Sequence, residues 1–263
     1  MRRVSVSASA GQGRRRVATH DLGGDPVTPL RRTASIAGWL FIATFVTSIP
    51  AQLIFYAPVL GDANANYVTG AGADAHASVA MGALLEVLLI IANIGTAIVL
   101  FPILKRQNET LSLGYVAARI IESTFIAIGL LSLLAILTVR EDVVGANVAF
   151  GRSLVAIHDW TFLLGPGWVV GVGNGLILGY LMYSSGLVPR GMTWLGLVGG
   201  PLIIISGTAV LFDVIEPAST AQVVATIPEF FWELSLGFYL IIKGFKPSPV
   251  TAGLEPPATA ASM

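Results

Sequence analysis

Residues 78–101 read SVAMGALLEVLLIIANIGTAIVLF. The stretch is longer than the roughly 20 apolar residues with which a helix crosses a bilayer, and Glu86 is its one charged residue. Polar and apolar residues do not alternate along it, as they would in a strand of a membrane barrel. Because lipid offers the backbone no hydrogen-bond partners, the stretch is predicted to form a transmembrane helix.

Further apolar stretches indicate that this helix has similar neighbours. They cover 34–57, 114–138, 156–181, 193–212 and 228–243. Of the 263 residues, 54% are hydrophobic and 11% are charged, whereas a soluble domain has about 25% charged residues. The sequence therefore predicts an all-α fold, a polytopic membrane protein with a bundle of six transmembrane helices. The composition excludes most cytosolic enzymes, and the net charge of zero excludes a general nucleic-acid binder.

The two ends of the chain differ in composition from the apolar part. Residues 1–33 hold seven arginines together with several Gly and Ser residues, and residues 247–263 are rich in Pro and Ala. Such segments bury too little apolar surface to offset the entropy of ordering them. We expect a disordered basic tail at 1–33, a six-helix transmembrane domain at 34–246 and a disordered tail at 247–263.

Basic residues indicate the orientation of the bundle. Twelve of the 15 Lys and Arg residues lie at the two ends of the chain and in the 102–113 and 182–192 loops, whereas Arg140 and Arg152 lie near the opposite ends of the helices. Cytoplasmic loops of membrane proteins carry the excess of Lys and Arg. Both termini are therefore predicted to be cytoplasmic.

Two charged residues in the third stretch form a candidate intramembrane ion pair. Arg119 and Glu122 are three residues apart, so they are neighbours on the helix surface. An ionisable residue at mid-helix costs about 2.5–3.5 kcal/mol on insertion scales, and each one therefore needs a partner or water. The pair can be a structural salt bridge, or it can contact a substrate or act as a gate.

The remaining polar residues define a candidate intramembrane site. In the predicted orientation most of them fall in the outer half of the membrane, as a vestibule above the Arg119–Glu122 pair. We expect Glu86 to approach Glu233 or His158 across a cavity. A desolvated carboxyl group without a cation takes up and releases protons near neutral pH. For Glu229, which follows Pro228, the alternative is an acid that caps the start of its helix. The candidates are Glu86, Asn93, His158, Asp159, Asn174, Glu229 and Glu233.

Glycine and proline residues indicate where helices pack closely or break. Pro50 and Pro166 remove a backbone donor in the first and fourth stretches. Glycines recur every four residues in the fourth stretch, a spacing that lets another helix approach closely. The stretch can also be a locally broken helix that lines a substrate path. The residues concerned are Pro50, Gly165, Pro166, Gly167, Gly171, Gly175 and Gly179.

The residues favour an integral membrane protein whose function is structural or regulatory or belongs to no recognised class, and a carrier and a hydrolase are the alternatives. In a small secondary carrier, carboxylates in the outer half of the membrane would bind a proton or another cation, and Arg119–Glu122 would act as a gate. In an intramembrane hydrolase, His158 and a carboxylate would activate water. In a structural or regulatory membrane protein, the same groups would tie helices together.

The residue inventory offers little for catalysis. The chain has no Cys, only three His, and neither an HExxH nor a GxSxG motif. We therefore assign no catalytic residue, no metal site and no cofactor. The expected partners are membrane lipid and either a second copy of the chain or another membrane protein, but no nucleic acid.

Three long motifs resemble a known family. They are GYVAARIIES from Gly114 to Ser123, GPGWVVGVGNGLILGYLMYSSGLVPRGMTWLGLVGGPL from Gly165 to Leu202, and PEFFWELSLGFYLIIKGF from Pro228 to Phe245. The family is the bacterial integral membrane group known as domain of unknown function 4386, and the resemblance covers roughly 34–247. It implies a bacterial inner-membrane protein of about six helices and no particular activity.

Overall fold

The computed structural model describes residues 28–57, 74–141 and 148–254, and every regular element in these ranges is helical. The α-helices are Pro29–Pro50, Asp74–Leu104, Glu109–Glu141, Val148–Leu164, Gly179–Ser185, Arg190–Leu211 and Thr220–Ile242. The π-helical segments are Ala51–Tyr56, Gly165–Val169 and Gly171–Leu178, and Pro249–Thr251 forms a short 3-10 helix.

Six helical runs are long and apolar enough to cross a membrane. We call them spans 1 to 6, and they are Pro29–Tyr56, His76–Leu104, Glu109–Thr138, Ala149–Ser185, Arg190–Leu211 and Thr220–Ile242. For the described residues, the prediction of an all-α fold with six helices long and apolar enough to span a membrane is thereby confirmed.

The spans form a closed ring. Each span packs against the next one in sequence, and span 6 packs back against span 1. Glycines allow spans 1 and 6 to approach closely, because a Cβ at Gly38 would overlap the carbonyl oxygen of Gly237. The ring therefore encloses an interior to which every span can contribute side chains.

Arg31 joins the start of span 1 to the end of span 6. Its Nη1 donates to the carbonyl oxygen of Leu240 at 3.0 Å, and its Nη2 donates to those of Ile241 at 2.6 Å and Ile242 at 3.0 Å. The last carbonyls of a helix have no partner within the helix, and a cation also suits the negative end of the helix dipole. The closing contact of the ring is thus fixed by hydrogen bonds.

The polarity of the bundle is the reverse of that of a soluble protein. Large apolar side chains point outward, among them Leu53, Ile91 and Ile205, while Arg119 and Glu86 are buried. An outer surface of this kind is stable against hydrocarbon, and it would be unfavourable in water.

Span 6 differs from its predicted length. The sequence predicts a short helix over 228–243 with Pro228 in its first turn, whereas the helix begins at Thr220 and Pro228 lies inside it. Residues 220–227 supply apolar side chains such as Val223 and Val224 to the outer face, and they extend the helix by two turns. Glu229 is therefore not a capping acid at a helix start.

Span 1 begins earlier than predicted. Its helix starts at Pro29 rather than at residue 34, because Thr28 caps it: Thr28 Oγ1 accepts a hydrogen bond from the Arg31 backbone N at 3.3 Å. Pro29 suits the first helical position, where no backbone donor is needed. The predicted tail at 1–33 is thus wrong for its last residues, and residues 1–27 lie outside the described ranges.

The start of the predicted C-terminal tail is folded against the bundle. The Ser248 hydroxyl donates to the carbonyl oxygen of Ser185, the Lys246 backbone N donates to that of Leu187 at 2.8 Å, and Val250 is buried. Residues 247–254 therefore extend the domain beyond the predicted boundary at 246. Residues 255–263 lie outside the described ranges.

Span 4 departs from an α-helix around its proline. Pro166 cannot donate a backbone hydrogen bond, and two π-helical segments, separated by Val170, occupy the middle of the span. Pro50 likewise precedes the π-helical end of span 1. Gly165 faces Phe125 of span 3, whereas Gly167 contacts atoms of its own span.

Gly171, Gly175 and Gly179 of span 4 lie against span 5. A Cβ at Gly171 would overlap the carbonyl oxygen of Gly200, and a Cβ at Gly175 would overlap the Cα of the same residue. Gly179 lies in ordinary contact distance of Leu197. Close packing against span 5 thus accounts for glycines at intervals of four residues. The same part of span 4 also has an irregular, π-helical backbone.

Candidate functional site

A cavity of about 290 Å³ lies inside the ring, and residues of all six spans line it. The volume is near the lower end of the roughly 300–1,000 Å³ that small-molecule sites occupy. The ionisable residues of its wall are Glu86, Arg119, Glu122, Glu229 and Glu233. The cavity thus brings together charged groups that lie far apart in the sequence.

Arg119 is held by Glu122 of its own span and by Asn93 of span 2. Its Nη1 donates to Glu122 Oε2 at 2.7 Å, its Nη2 donates to Asn93 Oδ1, and its Nε donates to the Asn93 carbonyl oxygen at 3.4 Å. Asn93 Nδ2 in turn donates to Glu122 Oε1 at 3.2 Å. Both carboxylate oxygens and the amide are therefore satisfied. We call these three residues the Arg119 cluster.

Two hydroxyl groups extend the Arg119 cluster. Thr96 Oγ1 donates to the Asn93 carbonyl oxygen at 2.7 Å, and it lies 3.3 Å from the Tyr115 hydroxyl. Because the Thr96 proton is already used, the Tyr115 hydroxyl is the donor in the second bond. Fully satisfied polar networks of this kind make a buried region rigid.

Glu86 of span 2 is held by two residues of span 1. Gln52 Nε2 donates to its Oε1 at 3.1 Å, and the Tyr56 hydroxyl donates to its Oε2 at 3.0 Å. The carboxylate is 3% exposed. Both oxygens thus have neutral donors.

His158 of span 4 approaches the same carboxylate from outside the cavity wall. Its Nε2 lies 3.8 Å from Glu86 Oε1, and its ring meets the Tyr56 ring edge to face with 5.4 Å between centroids. Its Nδ1 lies 3.5 Å from Asp159 Oδ1. The Asp159 side chain is 71% exposed, so the structure places it at the surface of the bundle and away from the cavity.

Glu229 of span 6 is buried without a hydrogen bond. It is 3% exposed, and neither carboxylate oxygen has a partner among the described residues. Oε2 lies over two backbone glycines, since a Cβ at Gly175 or at Gly199 would overlap it. A buried carboxylate without partners is expensive, so Glu229 is an under-satisfied polar group of the interior.

Glu233 lies one turn further along span 6. Its Oε1 accepts a hydrogen bond from Asn174 Nδ2 of span 4, and Trp232 Nε1 donates to the Asn174 carbonyl oxygen at 3.0 Å. No described residue donates to Glu233 Oε2. Asn174 Oδ1 is also buried without a partner. Spans 4 and 6 are therefore tied together beside two under-satisfied carboxylates.

The wall of the cavity carries an excess of acid. Four carboxylates face one guanidinium, and that guanidinium is already paired with Glu122. Glu229 and Glu233 interact with Arg119 only over longer distances. Like charges in a medium of low dielectric constant repel strongly. The cavity is therefore suited to hold protons or another positive charge.

The described residues contain no cluster of side chains that would hold a metal ion. Within 28–57, 74–141 and 148–254, no group of three or more His, Asp or Glu side chains is arranged to hold a metal ion. His158 pairs with a single carboxylate across the cavity wall and with one at the surface. A metal-assisted hydrolase therefore has no candidate centre in these ranges.

Sequence reasoning missed four residues that hold or extend the candidate groups, and they are Gln52, Tyr56, Thr96 and Tyr115. Gln52 and Tyr56 lie four residues apart in an apolar stretch, and this spacing, which puts both on one face, is the signal that could identify them. Tyr115 and Thr96 gave a weaker signal, because single hydroxyl groups are common in membrane helices and bond to their own backbone.

Comparisons with known proteins identify a family and name no activity. The family model described as domain of unknown function (DUF4386) matches residues 36–244. An uncharacterized protein of Archaeoglobus fulgidus is 34% identical over 106 residues. The match covers 39% of this chain and 61% of that protein, so it spans less than two thirds of the relative's length. No solved structure gives a significant match.

Proposed function

We propose that this chain, which belongs to the family described as domain of unknown function (DUF4386), is a small secondary carrier whose central cavity binds a proton or another cation. The observation that carries the proposal is the buried, unpartnered carboxylate of Glu229 in a cavity wall with four acids and one base. Ionisable groups inside a membrane domain mark ion and substrate pathways.

A purely structural function accounts for some of these groups but not for all. The Arg119 cluster is fully hydrogen-bonded, as expected of residues that tie spans 2 and 3 together. Glu229 ties nothing, because neither oxygen has a partner among the described residues. A group that costs stability and forms no bond is better explained by binding than by support.

The backbone of spans 1 and 4 also supports a carrier. Each contains a proline, Pro50 or Pro166, next to π-helical turns. Span 1 is the first of spans 1–3, and span 4 is the first of spans 4–6. Interrupted helices at corresponding places in two halves are typical of transporters with repeated halves. π-Helical turns are frequent at functional sites and offer places where a span can bend.

The proposal includes a bacterial inner membrane with both termini in the cytoplasm. Basic residues such as Arg31, Arg106 and Lys243 lie at the end where residues 246–254 fold against the bundle, and Arg106 Nη2 donates to the Ala252 carbonyl oxygen at 3.1 Å. An end that is rich in basic residues is expected to face the cytoplasm.

The orientation is open to a direct test because the chain has no cysteine. Lys105 and Glu216 are exposed at opposite ends of the bundle, and each is replaced by Cys in an otherwise unchanged chain. In intact cells, a membrane-impermeant maleimide is expected to label Glu216→Cys and to label Lys105→Cys only after lysis. The reverse pattern would invert the proposed topology.

Transport is tested in liposomes that contain the purified protein and an entrapped pH-sensitive dye. Na⁺, K⁺, amines, amino acids and carboxylic acids are added outside one at a time, with empty liposomes as the background. At least one addition is expected to move protons. The movement is expected to be lost in Glu233→Gln and retained in Glu216→Gln, whose side chain is in an exposed loop.

The negative outcome of this assay is equally clear. If correctly folded protein moves no protons above the background with any solute, the carrier proposal fails. Movement that persists in both Glu229→Gln and Glu233→Gln would separate transport from the acidic wall, and it would remove the observation on which the proposal depends.

A further inference from the structure

The wall of the cavity combines acids with aromatic rings. Phe45, Phe162 and Phe230 line it, and the rings of Phe45 and Phe230 meet edge to face with 5.2 Å between centroids. About half of the remaining lining residues are aliphatic, with Ile126 and Ile203 among them. A site of this composition suits a ligand that has an apolar body as well as a charge.

The acidic part of the wall leaves three acceptors unused. Glu229 Oε1 and Oε2 have no hydrogen-bond partner among the described residues, and no described donor reaches Glu233 Oε2. The two residues are four apart on span 6, so their side chains lie on one face of the helix. A primary ammonium group has three N–H donors and one positive charge, which matches three free acceptors on two carboxylates.

We propose that the cavity takes a small primary organic ammonium ion, with the ammonium group at Glu229 and Glu233 and an apolar body against Phe45 and Phe230. This inference deepens the proposed function, since it names the substrate class of the same cavity. Charge-assisted hydrogen bonds to a carboxylate are roughly twice as strong as neutral ones. An aromatic face within about 6 Å of a cation adds further attraction.

A bare metal ion fits the wall less well. Calcium takes six to eight oxygen ligands and magnesium takes six, whereas the described residues hold no group of three acidic or histidine side chains arranged for a metal. Thr44, which also lines the cavity, uses its hydroxyl to donate to the carbonyl oxygen of Phe41 at 2.7 Å. The volume of about 290 Å³ is also many times that of one water molecule, so an organic body has room.

An anionic or zwitterionic ligand fits less well for reasons of charge. The one guanidinium of the wall bonds to Glu122 and Asn93, so it is not free to balance a ligand carboxylate. Adding a negative charge beside four carboxylates would increase their repulsion. A ligand with a net positive charge reduces that repulsion. A zwitterion reduces it less, because its own carboxylate adds a negative charge.

Binding is tested on the purified full chain in detergent by isothermal titration calorimetry at neutral pH. The probes are phenethylammonium, phenethyl alcohol, hydrocinnamate, phenylalanine and Na⁺, of which the first four share one ring and a similar chain. Phenethylammonium is expected to bind, and the alcohol and the acid are expected to bind at least tenfold more weakly. Equal binding of the alcohol would show an apolar pocket without charge selection and would overturn the inference.

Variants test each half of the site. Glu229→Gln is expected to weaken phenethylammonium binding at least tenfold, while Glu216→Gln in the exposed loop leaves it unchanged. Phe230→Leu keeps the acids and removes a ring. It is expected to weaken the binding of phenethylammonium and to leave any binding of Na⁺ unchanged. If Glu229→Gln fails to give monodisperse protein, Phe230→Leu and the probe series still decide the result.

The outcomes separate the inference from the proposed function. If Na⁺ binds and phenethylammonium does not, or if phenylalanine binds more tightly than phenethylammonium, the substrate class is wrong and a carrier remains. If no probe binds and no solute moves protons in liposomes, both fail. Unchanged phenethylammonium binding in Glu229→Gln would mean that Glu229 is buried as a neutral acid, and the ammonium site would be refuted.

Discussion

Removing the charge of Glu122 tests how the Arg119 cluster stabilises the bundle. In Glu122→Gln the side chain keeps its shape, but one acceptor oxygen becomes an NH₂ donor. Arg119 Nη1 and Asn93 Nδ2 both donate to the native carboxylate, at 2.7 Å and 3.2 Å. Either orientation of the new amide therefore places a donor against a donor.

The expected loss follows from these contacts. A hydrogen bond to a charged group contributes about 1.5–3 kcal/mol. The guanidinium of Arg119 is only 1% exposed, so water cannot replace the lost counter-charge. Breaking a buried pair by removing one partner typically costs about 3–5 kcal/mol, and we expect Glu122→Gln to lose a free energy of unfolding in that range.

The measurement is reversible unfolding in mixed micelles, in which SDS is titrated into protein held in a mild detergent. Glu216→Gln is the matched control, and its exposed position predicts a change within about 0.5 kcal/mol. The double variant Arg119→Met with Glu122→Met leaves no unpaired charge, so it is expected to lose less stability than Glu122→Gln alone. A loss below 1 kcal/mol in Glu122→Gln, or a larger loss in the double variant, would refute the reasoning.

Three further predictions use the same unfolding assay. Gly175→Ala is expected to lose about 1–3 kcal/mol because its Cβ would overlap span 5, whereas Gly191→Ala, with nothing within 4 Å, is expected to lose none; equal effects would contradict the close packing. Arg31→Gln removes a cation from the end of span 6 and is expected to cost about 1–3 kcal/mol, unlike Arg32→Gln at an exposed position, and no difference between the two would argue against this cap. Tyr56→Phe removes a donor from buried Glu86 and is expected to cost about 1–2 kcal/mol, and an unchanged stability would show that the bond contributes nothing.

The spans were predictable because crossing a bilayer is a requirement on length and composition. Residues 78–101 satisfy it on their own, and the helix that contains them follows from the lack of backbone partners in lipid. The ends were harder to predict. Thr28 extends span 1 through a local cap, and Pro228 is tolerated inside span 6, where the rule for prolines favours a helix start.

The site was predictable only where its contacts are local. Arg119 and Glu122 share a helix, and a spacing of three residues is enough to suggest their contact. The contacts of Asn93 with Arg119, and of Tyr56 with Glu86, depend on how two spans rotate and slide against each other. Sequence alone does not contain that geometry. The same limit explains why the sequence alone left Glu229 open between a site residue and a capping acid, whereas the packing of spans 4, 5 and 6 makes it a buried group without partners among the described residues.

The contact between the first and last spans has a consequence for biosynthesis. Arg31 bonds to carbonyl groups more than 200 residues downstream, so these bonds can form only after residue 242 has been synthesised. Without Thr220–Ile242, the five earlier spans lack the contacts that close the ring, and the cavity lacks the wall that this span supplies. A chain that ends before this segment would therefore leave the polar cavity open on one side, and the cost of exposing it to lipid falls on every incomplete chain.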